Sequence, residues 1–395
     1  MNVLFLNTSE RTGGAAIAAG RLKKALEKNG VSVSSCFRKG KTGFYIERFT
    51  IWAANGFSKS NLFAVDIANC GEDITKLPEF KKSDIIHLHW INQGFISIEG
   101  LKKIFDSGKP VVWTMHDMWP CTGICHHSKE CNNYFTECHD CPYLRFSGNK
   151  DLSRTIFKRK SKAYRNANLS FVACSEWLRE RASHSSLLTG HQLNSIPNPI
   201  DTDFFKPCTR ARMDSEYRIL FGAAKITDKR KGIDYFIDAF HILKEKYPSL
   251  KIKVVCYGQN SEALSSMIGF PVESLGYINR DEAIRNLFNS VDLFVTPSLE
   301  ENLPNTIMEA MACGVPCVGF NVGGIPEMII HKETGYVAEY KSADDLAEGI
   351  NWVLRVSDYD SLSSSSRQKV LETYSESIVS QQYVSLYKKL LSLND

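Results

Sequence analysis

Short unbroken apolar runs alternate along this chain with longer stretches whose apolar residues recur at helical spacing. That alternation predicts parallel sheets covered by helices. Residues 3–7 read as a first strand, Gly13-Gly14-Ala15-Ala16 as a small-residue turn, and residues 17–28 as a helix ending at Gly30. Residues 84–89, 110–115, 169–173 and 192–196 read as further strands. Residues 196–207, dense in Pro, Asp and Asn, have the composition of an extended linker. The alternation then restarts, with strands at 217–223, 251–257, 292–297 and 315–320 separated by helical segments such as 235–247. Residues 361–366 read as a serine-rich loop and 370–393 as a closing helix. The expected organisation is an N-terminal α/β domain over residues 1–200 with a cysteine-rich insertion near 119–145, a second α/β domain over 201–372, and a C-terminal helix over 373–395 that packs back on the first domain.

Composition narrows the class. A chain of 395 residues exceeds one ordinary core, and 43% hydrophobic with 23% charged residues is the balance of a globular protein. A formal net charge of +4 is too small and too dispersed for a nucleic-acid binder, which concentrates its basic residues on one face. The start, Met1-Asn2-Val3-Leu4, lacks the features of a signal peptide, and no apolar run approaches the roughly 20 residues of a membrane span. A cytoplasmic location is the expectation. Seven of the twelve cysteines, Cys36, Cys70, Cys174, Cys208, Cys256, Cys313 and Cys317, stand apart and read as core residues.

The densest chemistry lies in Pro297-Ser-Leu-Glu-Glu301-Asn302-Leu303-Pro304-Asn305-Thr-Ile-Met-Glu309, which continues to Gly314. Asn302 reads as a helix cap, Pro304 as a first-turn residue and Gly314 as the helix end, so Glu301 sits in a loop and Glu309 inside a helix. A loop directly after a strand of a doubly wound sheet points into the ligand crevice. Carboxylates there accept hydrogen bonds from sugar hydroxyls, and helix-start N–H groups hold phosphate.

These residues resemble the Glu-x7-Glu signature of family 4 retaining glycosyltransferases. Gly13-Gly14-Ala15 is similar to that family's N-terminal glycine loop, Ile196-Pro197-Asn198 to its interdomain linker, and Lys229-Arg230-Lys231-Gly232 to its phosphate-binding Lys-Gly. The resemblance implies the GT-B fold, an α/β architecture of two Rossmann-like domains facing a central cleft. It also implies retaining transfer of a hexosyl group from a nucleotide-diphosphate sugar, UDP-sugar favoured over GDP-sugar, to a glycan or lipid-linked glycan acceptor. Carried over residue by residue, Glu301 contacts the donor sugar, Glu309 the ribose, and Lys231 the diphosphate, with Lys225 or Arg230 adding a second charge. Gly13, Gly14, Asn302, Leu303 and Asn305 complete the donor site. Two departures stand out: Glu301 is followed by Asn-Leu-Pro-Asn without glycine, and no Arg occupies the family's place before the Lys-Gly.

His87, His89, His116 and Asp117 fall at predicted strand ends, and the resemblance favours His116 as the catalytic polar residue near the sugar. Trp90 is placed to stack on an acceptor sugar. Asp201-Thr-Asp203 reads as turn chemistry, so no catalytic metal is expected. Residues 113–123 resemble transferases of capsule, colanic-acid-like and other bacterial surface polysaccharides, which implies a membrane-bound acceptor and a peripheral position at the inner membrane face. The basic run at 157–165 is the candidate lipid contact. Cys125, Cys131, Cys138 and Cys141 crowd into one polar stretch and are expected to hold a structural zinc, with Cys121 spare and His126, His127 or His139 able to replace one thiolate. The rival reading from another class is a non-catalytic nucleotide-sugar-binding scaffold subunit on the same fold.

Overall fold

An apolar run without polar alternation makes a stable strand only when both of its faces are covered. The protein, described here from a computed structural model over residues 1–208 and 216–392, arranges such runs in two compact units. One is Met1–Pro199 with Val379–Asp395, and the other is Ile200–Ile378. The first unit contains strands β1 (Asn2–Asn7), β2 (Ser32–Phe37), β3 (Ile85–Leu88), β4 (Val111–Met115), β5 (Leu169–Ala173) and β6 (Gln192–Ser195), in the order β2-β1-β3-β4-β5-β6 with every pair parallel. The second contains β7 (Tyr217–Lys225), β8 (Ile252–Gln259), β9 (Val272–Ser274), β10 (Leu293–Thr296), β11 (Cys317–Phe320) and β12 (Gly335–Ala338), in the order β12-β11-β10-β7-β8-β9, again all parallel. Strands β3, β4, β5, β10 and β11 are buried at every position.

Leu4, Leu6, Ile86, Leu88 and Trp113 feed the core on one face of the first sheet, and Val3, Phe5, Ile85 and Val112 feed the other. The second face is closed by the C-terminal helix through Val379, Tyr383, Tyr387 and Leu390. In each sheet the strand order reverses between two neighbours, β1 and β3 in the first and β7 and β10 in the second. A doubly wound sheet presents its ligand crevice beyond the carboxyl ends of those strands.

Several local expectations change. Strands β2, β9 and β12, absent from the expected strands, lie at sheet edges, and β2 and β9 carry no continuous apolar run. Residues 361–366 are helical, inside Tyr359–Thr373: Asp358 caps its start, and Leu362, Ser366 and Val370 form its buried stripe. The expected single closing helix is broken at Tyr374 and Ser375, because the Tyr374 carbonyl and the Glu376 N–H bond to the backbone of Ile200. Its expected end at Leu393 lies outside the described residues. Pro304 occupies the cap position of helix Asn305–Ala312, with no side-chain cap, so Asn302 does not serve there.

Candidate active site

In the second unit three loops meet at the ends of β7, β10 and β11. The Asp228 carboxylate accepts from the Arg230 N–H and closes the turn Lys229–Lys231. Gly232 follows with φ 70, and a Cβ there would lie 1.8 Å from the Pro297 carbonyl oxygen, so only glycine lets this turn press against the end of β10. The Leu299 N–H donates to the Arg230 carbonyl at 2.7 Å and ties the two loops together. Gly323, with φ 59, brings the third loop against Glu301 in the same way, since a Cβ would lie 1.8 Å from the Glu301 carbonyl oxygen.

This backbone clamp makes Lys231 and Glu301 direct partners. The Lys231 ammonium forms an ion pair with Glu301 Oε1, which also accepts from Ser298 Oγ at 3.2 Å. The Lys231 side chain is 32% exposed and that of Glu301 14%, so the pair is open on one side. The Arg230 guanidinium is 60% exposed and held by Asp228 at 2.7 Å. Burial acts to raise the Asp228 carboxyl, but its hydrogen bonds from Arg230 more than offset this and leave it below the ordinary range. Lys225 is exposed at the end of β7. Asn302 and Leu303 are buried in the β10 loop, Asn305 begins the following helix, and Glu309 is buried within it. Glu309 adds to the burial that raises the Tyr257 hydroxyl.

In the first unit Gly13, with φ 91, leads from β1 into helix Gly14–Lys28 and accepts from the N–H groups of Ala16 and Ile17. Beyond β3 and β4 lies a buried polar chain. His87 Nδ1 bonds the Tyr387 hydroxyl at 2.6 Å and Nε2 bonds Thr114 Oγ1 at 2.7 Å. His89 stacks on His87 at 4.2 Å, and its Nδ1 meets His116 Nε2 at 3.2 Å. His116 Nδ1 lies 3.6 Å from Cys174 Sγ. Burial lowers all three imidazoles, His116 to about 4, so they are neutral at physiological pH.

Sequence reasoning missed the neighbouring network. His126 bridges Asp66 Oδ2 at 2.7 Å and Asp117 Oδ2 at 2.8 Å, Arg48 pairs with Asp66, and the Trp90 indole N–H donates to Asp117 at 2.8 Å. Asp117 is lowered to about 2: burial opposes this, and His126 and the Trp119 N–H outweigh it. Arg48 and Asp66 lie in stretches without strand or motif signals, so only the fold brings them to His126. His89, Trp90, His116 and Asp117 line one small pocket.

Cys125, Cys131, Cys138 and Cys141 line one cavity of about 330 Å³, yet among the described residues no group of three His, Cys, Asp or Glu side chains is placed to hold a metal ion. Cys125, Cys138 and Cys141 are core residues whose thiols burial pushes up to about 12. In the basic run at 157–165, Phe157, Lys160 and Tyr164 are buried, the Lys160 ammonium donates to the carbonyls of Trp119 and Thr122, and Lys158, Lys162 and Arg165 are exposed. Asp201 behaves as expected of a turn residue, accepting from the N–H groups of Asp203 and Phe204.

Two family models cover most of the chain. "Glycosyltransferase Family 4" matches residues 12–204, and "Glycosyl transferases group 1" matches residues 216–355. Both halves of the chain are thus similar to glycosyltransferases, the first to family 4. The chain is similar to the amylovoran biosynthesis glycosyltransferase AmsK of Erwinia amylovora, at 30% identity over 40% of each chain. It spans less than half the length of the first five curated relatives it matches. Among solved structures, this chain resembles sucrose-phosphate synthase from Thermosynechococcus elongatus, with TM-score 0.66 and 17% identity over 99% of both chains. It also resembles Anabaena HepE in complex with UDP, with TM-score 0.62 and 16% identity over 98% of this chain and 100% of that one. These likenesses identify the fold as GT-B. Among the described residues no helix is long and apolar enough to cross a membrane.

Proposed function

We propose that this protein moves a hexosyl group from a nucleotide-diphosphate sugar, UDP-sugar before GDP-sugar, to an acceptor hydroxyl with retention of anomeric configuration. The observation that carries the reading is the half-exposed Lys231–Glu301 pair, held at the strand ends by the Gly232 and Gly323 loops. Departure of the diphosphate concentrates negative charge, and an ammonium already fixed in place stabilises it without reorganisation. Lys231 supplies that charge, Arg230 and Lys225 reinforce it, and the start of helix Asn305–Ala312 adds its dipole. Lys231 therefore exchanges its carboxylate for phosphate when donor binds, and Glu301, released, takes a sugar hydroxyl. Glu309 takes the ribose, with Asn302, Leu303 and Asn305 shaping the pocket and Gly13 and Gly14 allowing close backbone approach. Retention proceeds by attack on the face the diphosphate leaves, the departing phosphate taking the acceptor proton. His116, neutral and fixed by His89, orients the sugar as a hydrogen-bonding group.

HepE is described with UDP, and a Campylobacter jejuni relative is named for a diphospho-undecaprenol-linked substrate. These names support a UDP-sugar donor and a glycan or lipid-linked glycan acceptor, in surface polysaccharide synthesis. The test is nucleotide release from a panel of UDP- and GDP-sugars with and without such acceptors. Acceptor-dependent release by the native chain, lost in Lys231→Ala and Glu301→Gln, is the expected result; no release with any donor counts against the reading.

A further inference from the structure

Water-exposed aromatic rings are concentrated on one part of the first unit. Among the described residues seven large apolar or aromatic side chains are more than 60% exposed, and five of these are Tyr45, Phe49, Phe57, Phe63 and Phe146. Isolated exposed rings are ordinary, but a contiguous set marks an interaction surface.

Helix Thr42–Ala54 buries Glu47, Arg48 and Ile51, and at helical spacing Tyr45, Phe49 and Trp52 share the opposite stripe, flanked by the exposed Ile46. The rings continue beyond the helix, Phe49 to Trp52 at 5.8 Å and Trp52 to Phe57 at 4.8 Å. Phe57 has φ 58, a left-handed conformation unfavourable for a bulky residue, and it keeps the ring outside. Phe146 covers Gly56 so closely that a Cβ there would lie 2.4 Å from its ring. The Arg145 N–H donates to Asn55 Oδ1, and Asn61 Nδ2 donates to the Tyr143 carbonyl, which locks this segment to the loop carrying Phe57 and Phe63.

Charge selects the occupant. Between Arg38 and Phe63 the one acidic residue is Glu47, whose buried carboxylate accepts from the N–H groups of Ile67 and Ala68. Lys39, Lys41, Lys59 and Arg145 are exposed around the rings; the nearby Glu72 takes the backbone N–H of Lys39. Protein interfaces are depleted in lysine, whereas aromatic rings rimmed by lysine suit the boundary between lipid headgroups and acyl chains. We propose that this surface seats the protein on an anionic lipid bilayer, with Tyr45, Phe49, Phe57, Phe63 and Phe146 at headgroup depth and Lys39, Lys41 and Lys59 against lipid phosphates. The assignment is distinct from the run at 157–165 and stands apart from the transfer reaction, because no donor takes part in it.

The experiment is co-sedimentation with vesicles of equal parts phosphatidylglycerol and phosphatidylethanolamine, and with pure phosphatidylcholine, at low salt. The native chain is expected to sediment with the anionic vesicles. Phe49→Ser/Phe57→Ser/Phe63→Ser should reduce the bound fraction about tenfold, and Lys39→Glu/Lys41→Glu/Lys59→Glu should reduce it comparably without altering the melting temperature. Should the aromatic variant melt early, the lysine variant carries the test alone. Failure of the native chain to sediment overturns the proposal, as does lysine-variant binding equal to native. A dimer of the native chain that the aromatic variant dissolves also overturns it, by assigning the rings to an interface between copies.

Discussion

The polar residues beyond β3 and β4 and those beyond β7 and β10 flank the strand-order reversals of their two sheets, yet they differ in what their partners leave open. His87 and His89 are buried, His116 is half-buried, and all three are neutral and bonded within their own unit, with Tyr387 and Thr114 fixing the first of them. Lys231 and Glu301 are partly exposed charges whose shared partner is each other. A buried hydrogen-bonded network sets shape, because a change of partner strands a polar group. An ion pair open to solvent is weak and exchanges partners readily. The second unit therefore holds the groups able to meet a charged ligand, and the first holds a rigid polar wall.

The largest expected effect breaks the open pair. Lys231→Ala should lower turnover roughly 100-fold or more while leaving the melting temperature within a few degrees, since a half-exposed ion pair contributes little to stability. Turnover near native would place the phosphate charge elsewhere. Next, acid should weaken the first unit. Burial holds the folded imidazoles below their unfolded value, so the unfolded chain binds more protons as pH falls through that window. For His116 the window runs from 6.5 down to about 4, and its protonation removes about 3 kcal/mol across it; above 6.5 it contributes no slope. Stability measured by denaturant at pH 7 and pH 5 should fall, and His116→Gln should flatten that slope; a slope unchanged in the variant would mean that His116 charges in the folded state. A smaller effect comes from Gly232→Ala, where the 1.8 Å approach to Pro297 and the left-handed backbone should together cost about 2 kcal/mol and loosen the Lys231 turn. Melting equal to native would show that the turn need not press on β10. Smallest, Tyr387→Phe removes one buried hydroxyl from His87 and should cost about 1 kcal/mol, with little change in donor affinity.

The same contrast governs what the chain revealed in advance. Strands β4 and β10 were legible as short, largely apolar runs buried at every position, whereas β2 and β9 lie at sheet edges and carry mixed residues. The Lys231-Gly232 turn and Glu301 were legible as local motifs. The bonds of His87 to Tyr387, 300 residues apart in sequence, and of Asp66 to His126, 60 apart, have no local signal. In the cysteine stretch, spacing suggested ligands but gave no sign that Cys125, Cys138 and Cys141 are core residues. Serines at 361–366 suggested a loop because their polarity hid a helix whose buried stripe includes a serine, Ser366.

The central claim is that Lys231 leaves Glu301 to take the diphosphate. UDP affinity measured by titration calorimetry on the native chain, Lys231→Ala and Glu301→Gln tests it most directly. The account predicts UDP binding at least tenfold weaker in Lys231→Ala, and binding equal to or tighter than native in Glu301→Gln, because that variant no longer competes for the ammonium. Equal affinity in the native chain and Lys231→Ala would contradict it.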